Sequence, residues 1–188
     1  MSPLEITAVI LGVINILLII RRSVWNFPVG IVMVALYCII FTQAKLYSDA
    51  GLQVFFFAAN AYGWWAWSRN KADAGEVEII RLSPKESLLW AIGSAVAIVA
   101  WGSLMAHNTD ASYPVWDAAV AMLSIAAQIL MAKRAMENWH YWIVVNMISI
   151  PLYLVKDLRL TAGLYGVFLI LAIMGLREWM KALKPHIS

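Results

Sequence analysis

Apolar residues in this chain run in long blocks. Those blocks lie at roughly 4–20, 24–43, 50–68, 85–106, 114–132, 139–155 and 162–180. Each is close to the length of about 20 residues that a helix needs to cross bilayer hydrocarbon. The breaks between them hold charges and turn residues: Arg21-Arg22, Lys45 to Asp49, Arg69 to Glu86, His107 to Pro114, Lys133 to Glu137 and Lys156 to Arg159. No block alternates with period two, which argues against barrel strands. The first block is preceded by Met-Ser-Pro-Leu-Glu, without the positive region of a cleaved signal peptide. The pattern predicts seven transmembrane helices in an all-α polytopic membrane protein.

Composition strengthens that reading. Hydrophobic residues are 63% of the 188 and charged residues 13%, where a soluble domain has about 45–50% and about 25%. So few charges exclude a disordered chain and a nucleic-acid surface. The single cysteine, Cys38, excludes a disulfide framework and a cysteine-based metal cluster.

The net charge of +3 matters only through its placement. With the N-terminus outside, the cytoplasmic side receives Arg21, Arg22, Arg69, Lys71, Arg81, Lys85, Lys133, Arg134, Arg177, Lys181 and Lys184. The other side receives Lys45, Lys156 and Arg159. The excess predicts N-terminus out and C-terminus in. The longest polar stretch, Arg69 to Ser87, reads as a solvated cytoplasmic linker, and Ser83-Pro84-Lys85-Glu86 as a helix start.

The second half also repeats the first at a constant shift of 112 residues, the distance from Arg21 to Lys133. Arg21-Arg22 falls on Lys133-Arg134, Asn26 on Asn138, and Ala50-Gly51-Leu52 on Ala162-Gly163-Leu164. Phe56 falls on Phe168, Gly63 on Gly175, and Trp67 on Trp179. Helices one to three therefore correspond to five to seven, with the fourth bringing the chain back across. The expected plan is three-plus-one-plus-three with parallel repeats. Its parts are residues 1–68, a linker and connecting helix over 69–111, and 112–188. Such a plan puts a substrate route between the halves, near the midplane.

Polar side chains inside a membrane are costly, and so informative. In helix three, Gln53, Phe57, Asn60, Trp64 and Trp67 follow one another at spacings of four and three, which predicts one helical face. Helix six offers Trp142, Asn146, Ser149 and Tyr153. Asn60 and Asn146 fall near mid-span. The pair of amides with nearby indoles predicts a cage for a flat ring, stacked by tryptophan and hydrogen-bonded by asparagine. The plainer alternative is that the asparagines join helices. Trp25, Trp65, Trp90, Trp101, Trp116, Trp139 and Trp179, near span ends, read as interfacial anchors. The roles of Asn15, Gln128, Tyr37 and Tyr165 stay open.

No Asp, Glu, Lys, Arg or His lies in the central part of a span; Asp117 comes nearest. Proton-coupled carriage, a retinal Schiff base, axial haem ligation and an intramembrane serine protease all lack their required groups. The chain reads as a non-enzyme without a cofactor, and its missing titratable group suits a uniporter.

The strings Trp25-Asn26-Phe27-Pro28-Val29-Gly30-Ile31, Lys45 to Gln53 and Asn60-Ala61-Tyr62-Gly63-Trp64-Trp65-Ala66-Trp67 resemble the PnuC family of bacterial vitamin transporters. Glu137-Asn138-Trp139, Trp142 to Asn146 and Leu160 to Gly166 are similar to its second half. The resemblance implies a SWEET-like arrangement, a homotrimer in the inner membrane, and uptake of nicotinamide riboside by facilitated diffusion. It also implies trapping by a cytoplasmic kinase. Thiamine and riboflavin are the substrates of relatives. The family's binding region falls on Gln53, Asn60, Trp64, Trp142 and Asn146. A cationic aromatic ring, as in nicotinamide riboside or thiamine, suits tryptophan faces without a carboxylate. A seven-helix ligand sensor is the rival from another class.

Overall fold

The structure, a computed structural model, describes residues 3–43, 47–108, 113–155 and 159–183. Seven helices account for nearly all of them: α1 (Pro3–Ile20), α2 (Asn26–Gln43), α3 (Tyr47–Ala74), α4 (Pro84–Asn108), α5 (Pro114–Ala132), α6 (Asn138–Val155) and α7 (Arg159–Ala182). Each apolar block has become a helix. α3 runs beyond the expected end at 68, because Arg69, Lys71, Ala72 and Ala74 are good helix formers that extend it past the apolar region. Lys45, Lys156 and Lys184, used in the charge count, lie outside the described residues.

By length and composition α4, α5 and residues 161–182 of α7 suffice to cross a bilayer, and α1 and α2 contribute shorter apolar runs. α4 turns Leu88, Ile92, Val96 and Val99 outward, each more than half exposed. An apolar exterior of that kind is at home against lipid.

Six of the helices pack as a closed ring, α1 on α2, α2 on α3, α3 on α5, α5 on α6, α6 on α7 and α7 back on α1. α4 packs outside the ring on α5, so the ring interior is the place where polar side chains are shielded from lipid.

One end of the ring carries Arg21, Arg22, Lys133, Arg134 and Lys181, and is called the basic end below. There the 112-residue shift relates individual atoms. The Trp67 indole donates to the Met131 carbonyl and the Trp179 indole to the Ile19 carbonyl, both at 3.1 Å. Phe27 meets Trp67 edge-on at 5.1 Å, as Trp139 meets Trp179 at 5.5 Å. Gly63 and Gly175 make these contacts possible. A methyl on Gly63 would lie 2.8 Å from the Phe27 Cζ and closer still to its Cε1, and one on Gly175 2.5 Å from the Trp139 Cζ2. Trp67 and Trp179 then touch each other, ring centres 5.9 Å apart. Together with Ile19, Met131, Met136 and Val77 they form the largest aromatic core of the molecule.

The helix ends repeat as well. α1 and α5 both close with a left-handed residue, Arg22 (φ 54°) and Arg134 (φ 64°). In each, two backbone bonds tie off the last turn: Arg22 N to Ile19 O and Ser23 N to Leu18 O, matched by Arg134 N to Met131 O and Ala135 N to Leu130 O. This is the six-to-one and five-to-two pattern that usually has glycine at its left-handed position. Asn26 and Asn138 then start α2 and α6, their amides donating to Ser23 O at 2.7 Å and Ala135 O at 2.6 Å.

The linker differs from expectation. Val77 is buried at 3% exposure and Ile79 packs beside it, because those apolar residues find the uncovered end of the aromatic core. The expected helix start is present: Ser83 and Glu86 hold each other reciprocally, with Ser83 N and Oγ donating to the Glu86 carboxylate at 2.8 and 2.7 Å.

Candidate functional site

α3 turns Asn60, Gly63 and Trp67 into the ring, all buried. Phe57 and Trp64, expected on the same face, are 48% and 43% exposed. The buried face of the helix is centred to one side of the expected stripe, along 56, 60, 63 and 67, which leaves 57 and 64 at its edge. Gln53 is half-buried. From α6, Asn146 and Ser149 are buried, while Trp142 and Tyr153 are half-buried. Trp142 leans on the aromatic core, and Tyr153 lies 5.0 Å from the Tyr165 ring near the opposite end.

Asn60, Trp67, Asn146 and Ser149 are thus buried in the bundle, Trp142 is half-buried beside the aromatic core, and Trp64 is turned outward. Trp67 is fully buried and its N–H is used by Met131. Ser149 is also fully buried, and its hydroxyl has no hydrogen-bond partner among the described residues. Its neighbour Ile148 accepts from the Trp116 indole at 3.1 Å, so Trp116 braces α6 against α5.

Asn15 belongs with this group although its role was open from sequence. Its amide donates to the Asn26 carbonyl. A methyl on Gly30 would lie 3.0 Å from Asn15 Nδ2 and 2.7 Å from Asn60 Oδ1. The two amides therefore converge over Gly30, where a methyl would push them aside. Asn60 is oriented by donating its N–H to Phe56 O at 2.8 Å, which leaves its oxygen facing that gap. In the second half the shift places Ala127, Trp142 and Ala172 at these three positions. A polar trio in one repeat stands where the other has an indole between two alanines.

Two tryptophans expected to act as interfacial anchors are instead buried in the aromatic core. Trp139 and Trp179 are 2% and 0% exposed, because they fill the places that Phe27 and Trp67 fill in the first half. The alignment already paired Trp67 with Trp179, and that was the signal for a core position.

The comparisons with known proteins address what the ring is for. A family model described as nicotinamide mononucleotide transporter matches residues 2–181. The chain belongs to this family, that of PnuC. It is 31% identical to the nicotinamide riboside transporter PnuC of Escherichia coli strain K12, covering 99% of this chain and 88% of that one. It is 29% identical to the riboflavin/roseoflavin transporter RibM of Streptomyces davaonensis, over 90% of this chain and 81% of the relative. A crystal structure of the vitamin B3 transporter PnuC superimposes with a TM-score of 0.79 at 26% identity, covering 97% of this chain and 83% of that one. These PnuC-family relatives are transporters and not enzymes, and the chain is a multi-pass membrane protein of that family.

Proposed function

We propose that this protein takes up nicotinamide riboside across the bacterial inner membrane by facilitated diffusion. The observation that carries the reading is the unshared polar and aromatic group inside the ring, in a chain 31% identical to a nicotinamide riboside transporter. Trp142 stacks on the cationic pyridinium ring. Asn60, Asn146 and Ser149 supply hydrogen bonds to its carboxamide and ribose. Trp67 forms the floor, and Gln53, Trp64 and Tyr153 complete the surroundings. The two halves, residues 1–68 and 112–188, move against each other as parallel repeats joined through 69–111 in the SWEET-like manner.

The orientation supported by the charge count puts the N-terminus outside and the basic end in the cytoplasm. No Asp, Glu, Lys, Arg or His sits mid-span to couple transport to protons, so uniport is the simplest energetics. A cytoplasmic kinase then traps the product by adding phosphate, and the protein works as a homotrimer. Thiamine or riboflavin is the second reading for the substrate, favoured by the 29% identity to a riboflavin transporter. Uptake of labelled nicotinamide riboside into sealed proteoliposomes, with unlabelled thiamine and riboflavin as competitors, tests the proposal. Uptake blocked only by unlabelled riboside supports it; uptake blocked better by another vitamin changes the substrate. Binding without uptake would make the protein a sensor.

A further inference from the structure

The segment between α3 and α4 crosses the basic end and touches both halves. Gly75, left-handed at φ 78°, turns the chain back after α3, and Asn70 Oδ1 receives Glu78 N at 2.9 Å. Further on, Ile80 exchanges backbone bonds with the α5–α6 turn, Ile80 N to Arg134 O at 3.0 Å and Met136 N to Ile80 O at 2.9 Å. Leu82 N donates to the Glu137 carboxylate at 3.2 Å. Between these anchors Val77 is pressed onto the core in which Trp67 meets Trp179.

Two arginines hold consecutive peptides of this strap. Arg22 donates to the Val77 carbonyl at 3.1 Å and to the Glu76 carboxylate at 3.4 Å. Arg134 reaches the Glu78 carbonyl at 3.5 Å. These are the two non-glycine residues in the left-handed region among those described. Such a conformation disfavours a residue with a Cβ, and glycine is the usual occupant of this cap. A strained side chain kept at both turns, each directed at the same strap, is an observation that backbone capping does not explain.

We propose that residues 76–80 are a crossbar that keeps the basic end of the pathway shut, with Arg22 as its latch, while Arg134 helps to hold the strap on the α5–α6 turn. This rests on the transport reading, since a closed end has a purpose only where that end must open. For the halves to part there, Trp67 and Trp179 separate and the strap lets go of Arg22 on one side, while its backbone pairing keeps it on the α5–α6 turn.

The test uses the full chain in proteoliposomes with Cys38→Ser and Val77→Cys, and follows the rate of reaction of the introduced thiol with a maleimide. Arg22→Gly is added because glycine suits the left-handed backbone, so the cap survives while the latch is lost. About a tenfold faster reaction is expected for Arg22→Gly, about a twofold change for Arg134→Gly, and an unchanged or higher melting temperature in both. A rate for Arg22→Gly within twofold of its parent overturns the latch. So does a faster rate accompanied by a fall in melting temperature, which marks general loosening. Uptake of labelled nicotinamide riboside in the parent is measured alongside: its absence removes the transport reading, whereas the thiol rates report the crossbar whether or not riboside crosses.

Discussion

The basic end of the ring and its middle are built on opposite rules. At the basic end the helix caps, the ring contacts and the indole-to-carbonyl bonds of Trp67 and Trp179 recur 112 residues apart. In the middle the correspondence fails. Asn15, Gly30 and Asn60 stand opposite Ala127, Trp142 and Ala172, and Asn146 and Ser149 correspond to Val34 and Tyr37. Two similar halves can close one end with two similar sets of contacts. A ligand with an aromatic ring at one end and a polyol at the other has no such symmetry, and a site that reads it gains by breaking the repeat. On the proposed reading the shared residues hold the bundle and the unshared ones discriminate.

That division is most exposed to test at the aromatic core. Trp67→Ala and Trp179→Ala each remove a buried indole, a loss of about 3–5 kcal/mol by the usual cost of such truncations. The two should agree within about 1 kcal/mol in thermal or denaturant unfolding, because their surroundings match. A large inequality would break the equivalence. Gly63→Ala and Gly175→Ala come next, at about 1–3 kcal/mol each for forcing a methyl against a ring, again as a matched pair in the same assay.

The middle should behave differently. Trp142→Ala is expected to weaken nicotinamide riboside binding by about 1–3 kcal/mol, the scale of base stacking on aromatic side chains, in isothermal titration. Trp116→Ala, which braces α6 through Ile148 O, should lower stability by at least about 1 kcal/mol, the share of the hydrogen bond alone, and leave affinity nearly unchanged. The smallest effects are expected at the helix starts. Asn26→Ala and Asn138→Ala each lose one hydrogen bond to the preceding turn, about 1 kcal/mol apiece, and these too should match.

Much of this was legible in the sequence because the bilayer imposes a simple length rule. The seven apolar blocks became seven helices, and the constant shift carried Asn26–Gln43 onto Asn138–Val155 as complete elements. Less legible were the faces. Trp64 looked like a partner of Asn60 on spacing alone, yet the buried face is centred on Asn60, Gly63 and Trp67 and leaves Trp64 at its edge, 43% exposed. Tryptophans at span ends occur both in interfacial belts and in a terminal core, and composition does not separate the two for Trp139 and Trp179. The polar trio was hidden for a different reason. Gly30 contributes by lacking a side chain, and its meaning appears only when Asn15 and Asn60 are seen to converge over it. Likewise Val77 lies in a stretch whose charges read as a solvated linker, and the core it caps is visible only in the fold.

The division between frame and site is tested most directly by measuring two variants side by side, Trp142→Ala from the middle and Trp179→Phe from the basic end. Riboside affinity by titration and unfolding by heat are recorded for both proteins. Trp179→Phe loses its N–H bond to Ile19 and should melt earlier, by about 1 kcal/mol of stability, with its affinity within about twofold of the parent. Trp142→Ala should lose at least about fivefold in affinity, the lower end of the stacking scale, by a margin that its change in melting does not explain. The crossed pattern is the prediction. If Trp179→Phe costs the affinity and Trp142→Ala leaves it intact, the site does not lie in the unshared middle and the account is wrong.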